Sequence, residues 1–267
     1  MQKHGARIKT GLILGILTIV IIFFAPNSLF FIICGIAISA AFWEFLNLIS
    51  VRVLFHKIIY LLFFWACAAV MHHHENITLN IALIWWIIAF VMIFIPVKRL
   101  KLFKHKSVQF FVGLLMLAPA WIAFVDIHHH NRAMVFYLIM LVCFADTGAY
   151  FVGSAFGKHK LLPQVSPKKS IEGLIAALII GNIAGLSVVL FLPHLTGLHF
   201  LYWLILGTGL ILISVLGDLF ESLLKRLYDT KDSGSLLPGH GGLLDRLDSL
   251  CAAAPIYALI CHLTHLI

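Results

Sequence analysis

Charged residues are scarce in this sequence: Asp, Glu, Lys and Arg together make up 11% of its 267 residues, whereas 62% are apolar. A soluble domain of this length needs far more charge to cover its surface, so that class is excluded. Several apolar runs are long enough to cross a hydrocarbon core of about 30 Å. The sequence therefore predicts one integral membrane domain over residues 1–267.

Cysteine motifs and nucleotide-binding loops are also missing. The cysteines occur singly and form no CxxC pair, which argues against a zinc site and against a disulfide framework. Gly157-Lys158 lacks the Ser or Thr that would complete a Walker A loop. The first apolar run ends at Ala25-Pro26-Asn27 without a clear small-x-small cleavage site, so we interpret it as a retained anchor.

The apolar runs predict about nine membrane spans. They are unbroken, unlike the short alternating segments of a membrane β-barrel, and a backbone in lipid must satisfy its own hydrogen bonds. The predicted fold class is therefore all-α, a polytopic transmembrane helix bundle. The spans lie near residues 10–25, 29–49, 58–71, 79–96, 108–125, 133–152, 174–193, 200–220 and 250–266.

The distribution of Lys and Arg predicts the orientation of this bundle. Cytoplasmic loops retain basic residues, and nine spans that start from a cytoplasmic N-terminus leave only Arg132 on the opposite side. The net charge of +8 then reflects membrane topology, and we expect no nucleic-acid partner. This pattern is typical of a bacterial-type inner (plasma) membrane protein whose loops 153–173 and 218–248 face the cytoplasm.

Two further patterns leave alternatives open. Gly11/Gly15 and Gly181/Gly185 have the GxxxG spacing that brings membrane helices close together, either within one chain, which we favour, or in a homodimer. The triplets 72–74 and 128–130 consist of histidine and lie on the translocated side. They fit a periplasmic metal site, or they supply polarity without the positive charge that opposes translocation, which we favour.

Three acidic residues fall inside predicted spans, namely Glu44, Asp146 and Asp218. An ionisable group deep in a span costs at least about 2.5 kcal/mol on insertion scales. All three lie on outside-to-inside helices, within one to two turns of the cytoplasmic end. For Glu44, snorkelling or pairing with a lysine is an equal alternative to a function. Asp146 and Asp218 have small neighbours that leave room for a ligand.

Residues 218–248 carry most of the polar chemistry. Asp218, Ser222 and Lys225 share one helix face at i, i+4 and i+7. The segment 238–242 contains one proline and three glycines, which predicts a turn with backbone N–H groups free to meet an anion. Asp245 and Asp248 then begin a new helix on one face. Such a hairpin collects carboxylates that favour Mg²⁺, beside bases that suit phosphates.

A second basic element, Lys168-Lys169-Ser170, lies in the loop 153–173 just before a predicted span. Two lysines flanked by hydroxyl groups suit a lipid or nucleotide phosphate. An ordinary positive-inside anchor is the equal alternative. Clustered carboxylates and cations at a membrane surface together indicate phosphoryl or nucleotidyl transfer.

The stretch from Ser222 to Asp248 resembles the phosphatidate cytidylyltransferase (CDP-diacylglycerol synthase) family. About a dozen positions match its pattern, and 146–148 and 166–173 resemble further family elements. The first 130 residues resemble it only as apolar helices. The resemblance implies that CMP passes from CTP to phosphatidate at the cytoplasmic face, with Mg²⁺ and a monovalent cation such as K⁺.

The resemblance also implies roles for individual residues. Those assigned to catalysis are Asp218, Lys225, Arg226, Asp245 and Arg246; those assigned to substrate binding are Ser222, Lys231, Asp232, His240, Gly241, Gly242, Lys168, Lys169 and Ser170; and those assigned to metal binding are Asp218, Asp245, Asp248 and Asp146. Two other functions stay open. A CTP-dependent lipid kinase would use similar parts to attack the γ-phosphorus, and a transporter would also place acids at one depth.

Overall fold

The protein is a bundle of helices. The structure, a computed structural model, describes residues 13, 15–191, 200–230, 233, 234, 236 and 241–266. Within these residues the helices are α1 (Gly15–Phe24), α2 (Asn27–Leu48), α3 (Leu54–His73), α4 (Glu75–Met92), α5 (Lys106–His130), α6 (Arg132–Phe156), α7 (Ile171–Phe191), α8 (Phe200–Leu227) and α9 (Leu244–Leu263). The all-α prediction is confirmed.

Seven of the described helices, α2 to α8, are long and apolar enough to cross a membrane. Each predicted span has a matching helix, but α1 is short and α9 falls outside this group of seven. The third run, 58–71, was the shortest, and its helix α3 has 20 residues. Within the described residues, a helix therefore stands at each of the nine predicted spans. Seven of these helices have the length and apolar character that crossing a membrane requires.

The helices extend beyond the apolar runs around the polar stretch 218–248. α8 continues to Leu227 where the run ended at 220, and α9 begins at Leu244 where the run began at 250. Hydropathy marks where a helix meets lipid, but helical hydrogen bonding continues through charged turns. Asp218 and Asp245 are therefore both held on helices.

A small β-hairpin, absent from the sequence prediction, lies in the loop 153–173. β1 (Lys160–Leu162) pairs antiparallel with β2 (Ser166–Ser170), with Lys160 opposite Ser170. These strands are short and show no regular alternation of apolar and polar residues, which is the signal that predicts a strand. The basic loop therefore contains an ordered hairpin, and both interpretations of its lysines stay predictions.

The bundle is built around α5, which is the most buried of the seven spanning helices, whereas α3 is the least buried. α5 packs against α9 and α2. The end of α8 is tied to the segment before α5, because the Tyr228 hydroxyl donates a 2.7 Å hydrogen bond to the carbonyl of Phe103. Burial raises the pKa of Tyr228 to about 12, so the phenol keeps its proton.

The glycine pair of α7 packs inside the chain. A Cβ at Gly181 would lie 2.8 Å from Ile211 Cδ1 on α8 and 2.9 Å from Ala145 on α6, and one at Gly185 would lie 2.8 Å from Leu141. Gly15 has open space around it, and Gly11 lies outside the described residues. These contacts favour the intramolecular interpretation of the α7 motif.

Several histidines lie at the end of the bundle that is opposite to the polar stretch 218–248, and they make packing contacts there. The buried ring of His128 stacks on Phe30 with 3.7 Å between centroids and contacts the carbonyl of Ile22. His262 and His130 lie 2.8 and 3.1 Å from Asp126, a buried acid of α5 just beyond the predicted span 108–125. In the described part of the chain, no three His, Cys, Asp or Glu side chains are arranged to hold a metal ion.

Candidate active site

One cavity of about 910 Å³ opens where α6, α7, α8 and α9 meet the β-hairpin. α6 and α8 supply acids from their last turns, α9 from its first turns, and the hairpin supplies lysines. The charged side chains that line the cavity are Asp146, Lys160, Lys168, Lys169, Asp218, Lys225, Asp245, Arg246 and Asp248. Residues that are far apart in the sequence thus form one polar site.

The final turns of α8 form one wall. Ser222 Oγ donates to Asp218 Oδ1 at 3.4 Å, as expected for an i, i+4 pair on one helix face. Lys225, one further turn along, reaches the cavity. Ser222 itself supports Asp218 and does not line the cavity.

A cluster of three ionisable groups joins α8 to α9. Lys225 Nζ donates to Asp245 Oδ1 at 2.8 Å and to Glu221 Oε2 at 2.5 Å. Burial alone would raise the pKa of Asp245, but the hydrogen bond and charge of Lys225 hold that pKa below its usual value. Asp245 is therefore an anion at neutral pH.

Glu221 is a functional candidate that the sequence interpretation missed. Its side chain is fully buried, and its second oxygen, Oε1, has no hydrogen-bond partner among the described residues. Its i, i+4 spacing to Lys225 was readable from the sequence. Its burial was not, because that depends on how α9 packs against α8.

The β-hairpin closes the cavity from a second side. Lys169 Nζ lies 2.7 Å from Asp218 Oδ2, so an ion pair connects β2 to α8. Lys168 is exposed and lines the cavity beside it. Ser170 also lines the cavity, but it is buried, and its Oγ accepts the N–H of Gly173 at 3.1 Å, capping the first turn of α7.

Asp146 and Asp248 complete the acidic part of the cavity. Asp248 is only 7% exposed, and its Oδ1 accepts the N–H of Ser249 at 2.7 Å. A Cβ at Gly217 would overlap the carbonyl of Asp248, so α8 and α9 pass in close contact directly beside Asp218. Asp146 approaches from α6 with an exposed side chain. The structure thus brings all four predicted metal-binding acids to one cavity.

The two described residues of the glycine-rich segment, Gly241 and Gly242, lie beside Asp245. Gly242 N donates to Asp245 Oδ2 at 3.0 Å, and Ser233 N approaches both carboxylate oxygens at 3.4 Å. Gly241 has φ +84°, a left-handed conformation that favours glycine. Neither glycine lines the cavity.

Arg226 occupies a different place from the other predicted catalytic residues. Its Nε donates to the carbonyl of Val165 in the hairpin turn at 3.4 Å, and it does not line the cavity. Its predicted catalytic role stays a prediction. The predicted substrate-binding residues Lys231, Asp232 and His240 lie outside the described residues.

Glu44, the third acid found in a predicted span, is buried beside the start of α9. Its side chain is 1% exposed, and its carboxylate accepts the N–H of Leu236 at 3.2 Å and of Leu244 at 2.9 Å. It does not line the cavity. The structure therefore supports neither snorkelling nor a lysine partner within the described residues.

The donor set of the cavity fits a hard divalent cation. Among the described residues, four carboxylates and no thiol or imidazole line it. Mg²⁺ commonly takes one or two protein carboxylates together with water and substrate phosphates. A preformed cage of three or more ligands is therefore not required. The lysines and Arg246 around the acids suit phosphate groups.

Comparison with known proteins agrees with this chemistry. The model of the cytidylyltransferase family matches residues 5–264. A phosphatidate cytidylyltransferase of Pseudomonas aeruginosa is 35% identical over 260 residues, which cover 95% of both chains. Proteins of the same name from Haemophilus influenzae and Bacillus subtilis are 38% identical over 205 residues and 40% identical over 162 residues; they cover 71% and 56% of this chain, and 69% and 58% of their own lengths.

Proposed function

This chain belongs to the cytidylyltransferase family, and we infer that it transfers CMP from CTP to phosphatidate, giving CDP-diacylglycerol and diphosphate. The observation that carries this inference is the cavity, in which four carboxylates and five basic side chains meet at the ends of membrane helices. That combination suits a nucleotide and a lipid phosphate at once. The enzyme is therefore a membrane-embedded nucleotidyltransferase of phospholipid biosynthesis.

The reaction needs little acid–base chemistry from the protein. A phosphate oxygen of phosphatidate is already an anion at neutral pH and attacks the α-phosphorus of CTP. A new P–O bond forms there, the bond to the β-phosphate breaks, and its electron pair leaves on diphosphate. Catalysis then depends on positioning and charge neutralisation.

The basic side chains would hold the phosphates in this arrangement. Lys168 and Lys169 come from the hairpin, and Lys225 and Arg246 from the opposite wall, so the cations surround the space between them. Lys169 and Lys225 are pre-positioned by Asp218 and Asp245. Because these ion pairs are partly exposed, incoming phosphates can compete for the lysines.

We propose Mg²⁺ as the cofactor, held by carboxylates from the set Asp146, Asp218, Asp245 and Asp248, with a monovalent cation such as K⁺ as a second ion. A bound divalent cation would neutralise charge on the triphosphate and on the leaving diphosphate. Within the chain, Gly242 N and Lys225 orient Asp245 for this role, and Ser222 orients Asp218.

CTP labelled at either the α- or the γ-phosphorus tests the proposed function. Purified protein with phosphatidate and Mg²⁺ should incorporate α-label into the lipid and leave γ-label in diphosphate. Extraction of the lipid followed by thin-layer chromatography measures both. Label entering lipid only from the γ-position would establish the lipid-kinase alternative, and no incorporation from either would leave the transporter alternative.

We also propose that the cavity faces the cytoplasm, because the basic residues are concentrated at this end of the bundle. Single cysteines can be introduced at Lys158 beside the hairpin and at His129 at the opposite end, after replacing the native cysteines. Both sites are exposed. In right-side-out vesicles, an impermeant maleimide should label the cysteine at 129, and the one at 158 only after permeabilisation; the reverse pattern would invert the topology.

The glycine motif of α7 packs against helices of the same chain, so it gives no support for a homodimer. A homodimer stays a prediction. Light scattering of the detergent-solubilised protein measures the oligomeric state directly.

A further inference from the structure

α9 begins without a cap of its own. The residue before its first turn is Leu243, which has no side-chain oxygen to accept a backbone N–H. The first N–H groups of a helix have no partner within the helix, and the helix dipole favours negative charge at that end. The N–H of Leu244 donates instead to Glu44 Oε2, 2.9 Å away on α2. A carboxylate from a different membrane helix therefore caps α9.

The same carboxylate also fixes the chain that leads into α9. Its other oxygen, Oε1, accepts the N–H of Leu236 at 3.2 Å. Gly234 and Gly242 both lie against it: a Cβ at Gly234 would overlap Oε1, and one at Gly242 would lie 2.8 Å from Oε2. Gly234 and Gly242 thus lie so close to Glu44 that side chains at these two positions would displace its carboxylate.

Glu44 does not line the cavity, but the backbone links it to acids that do. Asp245 directly follows the capped Leu244, and it accepts the N–H of Gly242, which itself lies against Glu44. Asp248 lies on the same first turns of α9. A shift of the start of α9 would therefore move two acids of the cavity together.

We propose that Glu44 is a positioning residue, which holds the start of α9 and the backbone at Leu236 in the register that places Asp245 in the cavity. The kinetic part of this proposal rests on the function proposed above. Its structural part stands separately, because it concerns the backbone N–H groups of Leu236 and Leu244.

Glu44→Gln is the first test, since the amide has nearly the same shape but lacks the charge and can accept with only one of its two polar atoms. We expect kcat for CDP-diacylglycerol formation to fall about 10- to 100-fold, the loss typical of groups that orient ligating residues. The KM values for CTP and phosphatidate should stay within about twofold. Backbone hydrogen exchange in peptides covering 233–244 should become faster, with the rest of the bundle unchanged.

Glu75→Gln is the matched control, because Glu75 is a partly buried acid at the opposite end of the bundle. It should alter neither kcat nor exchange in 233–244. If Glu44→Gln leaves exchange in this segment as in the wild type, or leaves kcat unchanged, the proposal is wrong. If the wild type itself makes no CDP-diacylglycerol, the proposed function fails, while the exchange result still decides whether Glu44 holds this backbone.

A second pair of variants keeps the test valid if Glu44→Gln does not fold. Glu44→Asp withdraws the carboxylate by one methylene group, and Gly234→Ala adds a methyl group where that carboxylate lies. Each alone should lower kcat, but the fall in the double variant should be smaller than the product of the two single falls, because the shorter acid relieves part of the overlap with the added methyl group. Simple multiplication of the losses would count against direct contact between Glu44 and Gly234.

Discussion

Asp245→Asn should lower the rate of CMP transfer by about 100- to 1,000-fold, the loss typical of a preorganised charged group in an active site. The carboxylate accepts hydrogen bonds from Lys225 and Gly242. An asparagine amide in this place carries no negative charge to attract these two donors. The initial rate of lipid labelling from α-labelled CTP, measured at saturating substrate, gives the effect on kcat.

Asp229→Asn is the control for this variant. Asp229 lies in the turn just after α8 with φ +53°, a conformation that asparagine adopts readily, and it does not line the cavity. Its activity should match the wild type. Near-normal turnover by Asp245→Asn, with the protein folded, would reduce Asp245 to a structural partner of Lys225.

Asp218→Asn should change the dependence of activity on Mg²⁺. Removal of divalent ions with a chelator should abolish activity in the wild type, and added Mg²⁺ should restore it. Because Asp218 is one of the four carboxylates of the cavity, its replacement should raise the Mg²⁺ concentration for half-maximal rate by about tenfold or more. Titration of Mg²⁺ at fixed CTP, with and without K⁺, provides the measurement.

The effect of Asp218→Asn on Lys169 offers a second readout. The ion pair between them is lost, so Lys169 is released from α8 and the KM for CTP should change as well. A KM effect with an unaltered Mg²⁺ titration would mean that Asp218 serves only to position Lys169. Full activity without any divalent ion would overturn the Mg²⁺ proposal altogether.

The sequence predicted the bundle and most of the cavity because both leave local signals. Apolar runs mark the spans, and the spacing of Asp218, Ser222 and Lys225 marks one helix face. The density of acids, bases and glycines between 218 and 248 marked the polar site. Such patterns are complete within a few turns of chain and need no knowledge of which helices are neighbours.

The missed features depend on segments that meet from far apart. Glu44 and Leu244 are separated by 200 positions, and only the packing of α2 beside α9 turns an acid in a span into a helix cap. The burial of Glu221 and the hairpin contact of Arg226 arise in the same way. The hairpin strands are too short for a recognisable period.

The position of the cavity at the ends of α6, α7 and α8 has an energetic consequence for the lipid substrate. Withdrawing an acyl chain from a bilayer costs about 0.8 kcal/mol for each methylene group exposed to water. A site at this depth meets the phosphate where the lipid already holds it, so the acyl chains need not leave the hydrocarbon at any stage. Phosphatidate then reaches the site by diffusion within the plane of the membrane. The reaction rate should therefore follow the mole fraction of phosphatidate in the membrane rather than its bulk concentration.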